Sequence, residues 1–232
     1  MNRIQRLVLA TFLPLTVIEL ILVYMYDTSN IVRCIQFAGT VMLFLVAVFV
    51  KKEFMEQKIL VFGFLFSVIG DFFMILLPVI RKGADSNMPG IACFLLAYVF
   101  VIWSFNRNFS IKLFDVLLAL PFTAIVVCFF ATMAQYIKGT IVTAVLLFSI
   151  TITIMAWTSV CTLVRGYFTR RVAIIVAIAA VALFSSDMGV AYALFYPPVK
   201  GSVWLEMFIR ATYVPAWTLL LVVVCDKNIR MK

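Results

Sequence analysis

Histidine is absent from the 232 residues. Its absence removes the commonest metal ligand and the usual near-neutral acid–base group. Charge is scarce: 12% of residues are charged, and Asp and Glu together number 10. The five cysteines (Cys34, Cys93, Cys128, Cys161 and Cys225) lie far apart and form no CxxC. Neither disulfides nor zinc is expected, and all five read as packing residues. There is no P-loop, no GxSxG and no cluster of metal ligands. Ser185 and Ser186 have no His to activate them, so they read as hydroxyls bonded to backbone carbonyls and a serine hydrolase is not expected. No metal and no cofactor is called for. No long polar segment stands at either end, so the membrane domain described next is expected to be the whole protein, a single domain from 1 to 232.

What is there is apolar. Hydrophobic residues make up 66% of the chain and the mean hydropathy is +1.17, values that belong to a multi-span membrane protein. Counting apolar runs of about 17–25 residues yields eight spans, at 7–26, 32–50, 59–77, 90–105, 113–133, 139–160, 172–196 and 203–225. The expected fold is all-α, a polytopic bundle whose neighbouring helices are antiparallel because the gaps are short. Arg3 and Arg6 before the first run imitate a signal peptide, but the run is long and no small-x-small cleavage site follows, so it is kept as a span. The stretch KKEFMEQK at 51–58 reads as a solvated loop, and Pro78 closes the third span. Pro14 and Pro121 read as lying near helix ends, leaving Pro215 as the deep one. Trp103, Trp157 and Trp204 are expected near the membrane interfaces.

The net charge of +9 is better explained by the positive-inside rule than by nucleic acid, for which no contact is expected. With both termini in the cytoplasm, the inner segments hold thirteen of the 19 Lys and Arg. The outer side holds Arg33, Arg81, Lys82, Lys138 and Lys200, and Arg210 lies within the last span. The asymmetry supports the even span count. It also places the sequon at Asn108 inside, where it would not be glycosylated.

Carboxylates inside the apolar runs carry the functional information. Asp71 stands in FSVIGDFFMIL and Asp187 in ALFSSDMGVAYALF. An unpaired carboxylate at the centre of a membrane helix costs on the order of 3 kcal/mol on insertion scales, so one that is kept has a use or a partner. At about 1.5 Å per residue, Asp71 and Glu19 lie about 20 Å from the inner boundary, Asp187 about 24 Å, and Arg210 about 15 Å from the outer one. All four therefore share one layer with Tyr98 and Tyr213, and with Ser67, Ser186 and Tyr192 near the same depth. This predicts a polar pocket opening toward the outer face, with Trp217 deep enough to line it. Two Asp in a low-dielectric pocket do not both stay ionised, which gives one acid and one carboxylate for acid–base hydrolysis. Arg210 would hold one acid ionised or bind a lipid phosphate. Pairing purely for helix packing is the alternative, but three acids and one base do not balance. Gly70 reads as a point of close helix approach. The echo between LFSVIGD and LFSSD is accounted for equally by a four-plus-four duplication and by chance similarity of Phe- and Leu-rich helices.

Gly70-Asp71 in the third span, Phe94-Leu-Leu-Ala-Tyr98 in the fourth, Ser186-Asp187 in the seventh and Tyr213-Val-Pro-Ala216 in the last resemble the YhhN-like lysoplasmalogenase family, over nearly the whole chain. The resemblance implies hydrolysis of the vinyl-ether bond of a lysoplasmalogen to a fatty aldehyde and a glycerophospho-alcohol, with Asp71 and Asp187 as the catalytic pair. It implies a membrane lipid or lysophospholipid as partner; Glu19, Tyr98, Arg210, Tyr213 and Trp217, at the depth of the pocket, are the residues expected to bind it. The chain departs from the family pattern in carrying Tyr98 for a His, Val101 for a Tyr and Trp217 for a Gln, and in lacking a Lys-Pro pair early in span two, which marks a divergent member. A small-solute or proton-coupled transporter using the same acids, and a catalytically inactive relative, are the competing readings. A compact chain without organelle signals points to a bacterial inner membrane.

Overall fold

In hydrocarbon every backbone N–H and C=O must be satisfied within the protein, which leaves runs this apolar the choice of helix or closed barrel. The computed structural model, which describes residues 1–26, 29–81, 83, 87–106, 112–139 and 141–231, answers with helices. Eight are long and apolar enough to cross a membrane: α1 Arg3–Tyr26, α2 Asn30–Phe49, α3 Met55–Ile80, α4 Asn87–Phe105, α5 Leu113–Met133, α6 Ile141–Arg165, α7 Arg170–Phe195 and α8 Val203–Val224. Each overlaps one expected span. Asn108, with Lys82, Arg107 and Lys232 of the charge asymmetry, lies outside the described residues.

The helices divide by burial. In α7 and α8, 67% of the span is buried inside the protein, against 17% in α5. The pair α7 and α8 forms the centre, with α1 and α2 against α8, α6 against α7, and α5 outermost on α6. The outward faces carry Phe49, Leu113, Ile31 and Leu7 in the open, a surface suited to lipid tails. The close pairing of α3 with α4 rests on glycines. A Cβ at Gly63 would come within 3.4 Å of the Ala97 carbonyl oxygen, and one at Gly70 within 2.8 Å of the Phe94 ring. Both termini meet at one end of the bundle, where Asn2 Nδ2 donates to the Cys225 carbonyl at 2.6 Å.

That end corrects the reading of KKEFMEQK as a solvated loop. Met55–Lys58 is the first turn of α3, and Glu56 and Gln57 are buried. Glu56 accepts from Arg230 Nη2 at 2.8 and 2.9 Å and from Tyr167 Oη at 2.6 Å. Gln57 Nε2 donates to the carbonyls of Val223 and Asp226, while its Oε1 accepts from the amides of Glu53 and Phe54. The tail is tied down further by an antiparallel bridge between Phe168 and Arg230. The polar residues were paired across the fold, which spacing along the chain does not reveal.

Other expectations are corrected as well. Pro14 and Pro121 sit well inside α1 and α5 and stop neither; adjustments in neighbouring turns absorb the lost hydrogen bond in membrane helices. Cys34 and Cys128 are exposed rather than packed. Pro78 does not end α3, which continues to Ile80.

Candidate functional site

The reason α3 survives Pro78 lies just ahead of it. In a regular helix the Pro78 ring would press on the carbonyl four residues back, that of Met74. Here Phe72–Leu76 is wound as a π-helical turn, closed by Leu77 N–H bonding the Phe72 carbonyl. Such single wide turns release this strain and recur at functional sites. Asp71 is the last α-helical residue before the turn, and Met74 and Ile75 within it line the same cavity.

The cavity encloses about 250 Å³ and is walled by α2, α3, α4, α6, α7 and α8. Its polar lining is Arg33 and Gln36 from α2, Asp71 from α3, Ser149 from α6, Asp187 from α7, and Glu206, Arg210 and Tyr213 from α8. The rest is apolar, including Ile91, Phe94, Phe148, Leu194 and Ile209. Arg33, Phe195 and Glu206 lie at the ends of their helices away from the two termini, so the cavity opens at the opposite end of the bundle from the Glu56 network.

Asp71 and Asp187 are 3% and 7% exposed and interact electrostatically across the cavity. Tyr213 Oη donates to Asp71 Oδ2 at 3.0 Å, and Thr40 stands beside the same carboxylate. Arg210 lies within electrostatic range of Asp71 and Glu19, yet among the described residues no ion pair joins it to a carboxylate. The Tyr98 hydroxyl approaches Asp187 without completing a bond of good geometry, so Tyr98 Oη and Asp187 Oδ2 are both unpartnered. Glu19 Oε1 and Oε2, Gln36 Nε2, Arg210 Nε and Trp217 Nε1 are likewise buried without a partner. Buried polar atoms in folded proteins are nearly always bonded. A concentration of orphans in one region is the signature of a place where water or a ligand completes the bonding.

Of the residues singled out from sequence, Asp71, Asp187, Arg210 and Tyr213 line the cavity together. Glu19, Tyr98 and Trp217 are buried but are not among its lining residues. Trp217 packs on the Phe64 ring at 4.8 Å and the Tyr213 ring at 6.4 Å, centroid to centroid, so it backs the tyrosine that bonds Asp71. Glu19 sits against Gly39, where a Cβ would come within 2.9 Å of Oε1. The hydroxyls take their bland reading: Ser67, Ser185 and Ser186 donate to the carbonyls of Phe64, Val181 and Ile209. Tyr192 turns to α5, 3.3 Å from Thr132 Oγ1. Among the described residues no group of three His, Cys, Asp or Glu is placed to hold a metal ion.

Two polar stripes were missed from sequence although the signal is there. Arg33, Gln36 and Thr40 are spaced three and four apart on α2, and Glu206, Arg210, Tyr213 and Trp217 four, three and four apart on α8. That spacing puts each set on one helix face.

Residues 33–224 match the sequence profile of the YhhN family. The chain belongs to the YhhN family. YhhN proteins are multi-span membrane proteins and include lysoplasmalogenases. No curated protein and no solved structure matches the chain. The YhhN match takes in every residue lining the cavity and leaves out α1, so Glu19 stands outside it.

Proposed function

We propose that the protein is a membrane-embedded lipid hydrolase that cleaves the vinyl-ether bond of a lysoplasmalogen, with Asp71 and Asp187 as an acid–base pair. The observation that carries the reading is the convergence of the two carboxyl groups from α3 and α7 on one apolar-walled cavity. Family membership gives the chemistry its class.

The surroundings divide the labour. Asp71 accepts a hydrogen bond from Tyr213 and has Arg210 within range, which suits it to remain a carboxylate. Among the described residues no ion pair joins Asp187 to a cation, and its Oδ2 is unpartnered, which suits it to carry the proton. In the proposed reaction Asp187 protonates the alkene carbon distant from the ether oxygen. Asp71 faces the resulting oxocarbenium ion and takes a proton from the water that adds to it. The hemiacetal then collapses: Asp71 returns its proton to the departing alkoxide and Asp187 takes the hemiacetal O–H proton. Aldehyde and alcohol leave with both acids restored, at the cost of one water. Tyr98 orients Asp187, and Trp217 holds Tyr213 against Asp71. With both termini cytoplasmic, as the Lys and Arg asymmetry argues, the cavity faces the outer leaflet.

The test is aldehyde release from a lysoplasmalogen by the purified protein in detergent, beside Asp71→Asn and Asp187→Asn. Activity in the wild type, lost in both variants with the sizing profile unchanged, is the expected result. No aldehyde release from vinyl-ether lysolipids would overturn it; fatty-acid release from ester or amide lysolipids would then be measured, and flux assays would examine the same acids as a cation or proton site.

A further inference from the structure

At the opposite end of the bundle a groove of about 550 Å³ runs over α8 between α1 and α7. Its walls are Leu9, Ile174, Ile175, Leu219 and Val222, and its rim carries Arg170 and Arg171. No acid lines it. Both arginines are exposed, and among the described residues neither forms an ion pair with a carboxylate. Arg171 Nη2 donates to Gln5 Oε1 at 3.3 Å. Gln5 is itself fixed, its Nε2 donating to the Val222 carbonyl at 3.0 Å and to Asp226 Oδ2 at 2.8 Å. Asp226 also accepts from the Asn228 amide at Oδ1, and among the described residues it forms no ion pair with either arginine. Gln5 instead props Arg171 at the rim.

Three features converge on one chemistry. The groove is apolar where it runs along the spans, which suits an acyl chain. It is cationic at the helix ends, where the headgroups of a bilayer stand, and guanidinium groups bind phosphate oxygens in a fork. The first turn of α7 contains no acid, so its unsatisfied amides and positive dipole end add to the same field. A zwitterionic lipid brings a cation into that field; an anionic one does not.

We propose that this groove is a binding site for an anionic phospholipid of the surrounding bilayer, its phosphate on Arg170 and Arg171 and one chain against Ile174, Ile175, Leu219 and Val222. The site is separate from the acid-lined cavity and does not depend on the proposed reaction.

The experiment is native mass spectrometry of the full chain released from detergent, titrated with dioleoylphosphatidylglycerol, dioleoylphosphatidylcholine and, as a soluble anion, glycerol 3-phosphate. The expected result is at least tenfold tighter binding of phosphatidylglycerol than of phosphatidylcholine, without competition from glycerol 3-phosphate. The selectivity should fall to about twofold or less in Arg170→Gln/Arg171→Gln and persist in Arg81→Gln, an exposed arginine elsewhere. Equal binding of the two lipids by the wild type overturns the proposal, as does selectivity retained in the double variant or lost equally in Arg81→Gln. Full competition by glycerol 3-phosphate overturns the lipid in favour of a soluble anion. If the double variant does not fold, Ile174→Trp, which fills the groove from an exposed position, serves in its place with the same loss expected and the same contrary result.

Discussion

Of the buried acidic sites in this bundle, those of Glu56 and of Asp71 with Asp187 are built on opposite plans. At the end where the termini meet, Glu56 receives Arg230 and Tyr167, and its neighbour Gln57 uses both ends of its amide. At the other end Asp71, Asp187, Glu19 and Arg210 gather without one direct ion pair among them, and most of the orphaned polar atoms of the core lie there. The same residue types, similarly buried, are satisfied in one place and left incomplete in the other. Burial of charge therefore does not by itself mark a candidate site; the concentration of incomplete bonding around Asp71 and Asp187 sets that region apart. The Glu56 network holds the fold together, and the Asp71–Asp187 region bears a cost in stability that a purely structural role would not explain.

The largest expected effect lies on the incomplete side. Asp71→Asn and Asp187→Asn should each lower the rate of aldehyde release by about 10²–10⁴-fold, the range of a lost general acid or base. The same variants should unfold at an equal or higher temperature, by about 0.5–2 kcal/mol of added stability. A thermal scan beside the rate assay reads both; variants that lose stability together with activity would erase the contrast. Arg230→Ala should do the reverse. It leaves the buried Glu56 carboxylate to Tyr167 and its own backbone amide, a loss of about 1–3 kcal/mol, less than for a fully buried pair because the Arg230 side chain is 41% exposed. Activity per folded molecule should stay within about twofold. A similar effect comes from the helix crossing. At Gly70 an added methyl meets the rigid Phe94 ring, whereas at Gly90 it meets the flexible Met74 side chain. Gly70→Ala should cost about 1–3 kcal/mol by overpacking, and Gly90→Ala visibly less, in chemical or thermal unfolding. The smallest effect belongs to Glu19→Gln. A residue behind the cavity wall that acts through the charges of Arg210 and Asp71 should change the rate about three- to tenfold, about 0.6–1.4 kcal/mol, with the substrate concentration for half-maximal rate unmoved.

How much of this the sequence disclosed follows from the range of the interactions involved. Spans are local: twenty apolar residues announce themselves, and all eight helices fall where the runs do. The two Asp are legible because a carboxylate in such a run has few explanations, and depth counted from the flanking Lys and Arg placed both with Arg210 and Tyr213. Glu56 was not legible, because its partner Arg230 lies 174 residues away and nothing in KKEFMEQK distinguishes a first helical turn from a loop. The stripes on α2 and α8 were open to a periodicity count. Arg33 was read as an outer-loop charge, and Glu206 was not singled out. The π turn was hidden for another reason. Its cause, Pro78, was seen but taken as an end, since a proline in a sequence does not say whether the helix stops or widens.

That turn has a consequence for how such a protein can change. One surplus residue in a helix shifts the angular position of everything beyond it by about 100°. Phe72–Leu76 therefore works as a phase setting: it decides which way Leu77–Ile80, the end of α3, faces. Loss of one codon there would leave Asp71, Asp187 and every hydrogen-bonding group of the site in the chain. It would turn the end of α3 to face other neighbours. A new packing of that end could be sampled in one step, by insertion or deletion and not by substitution.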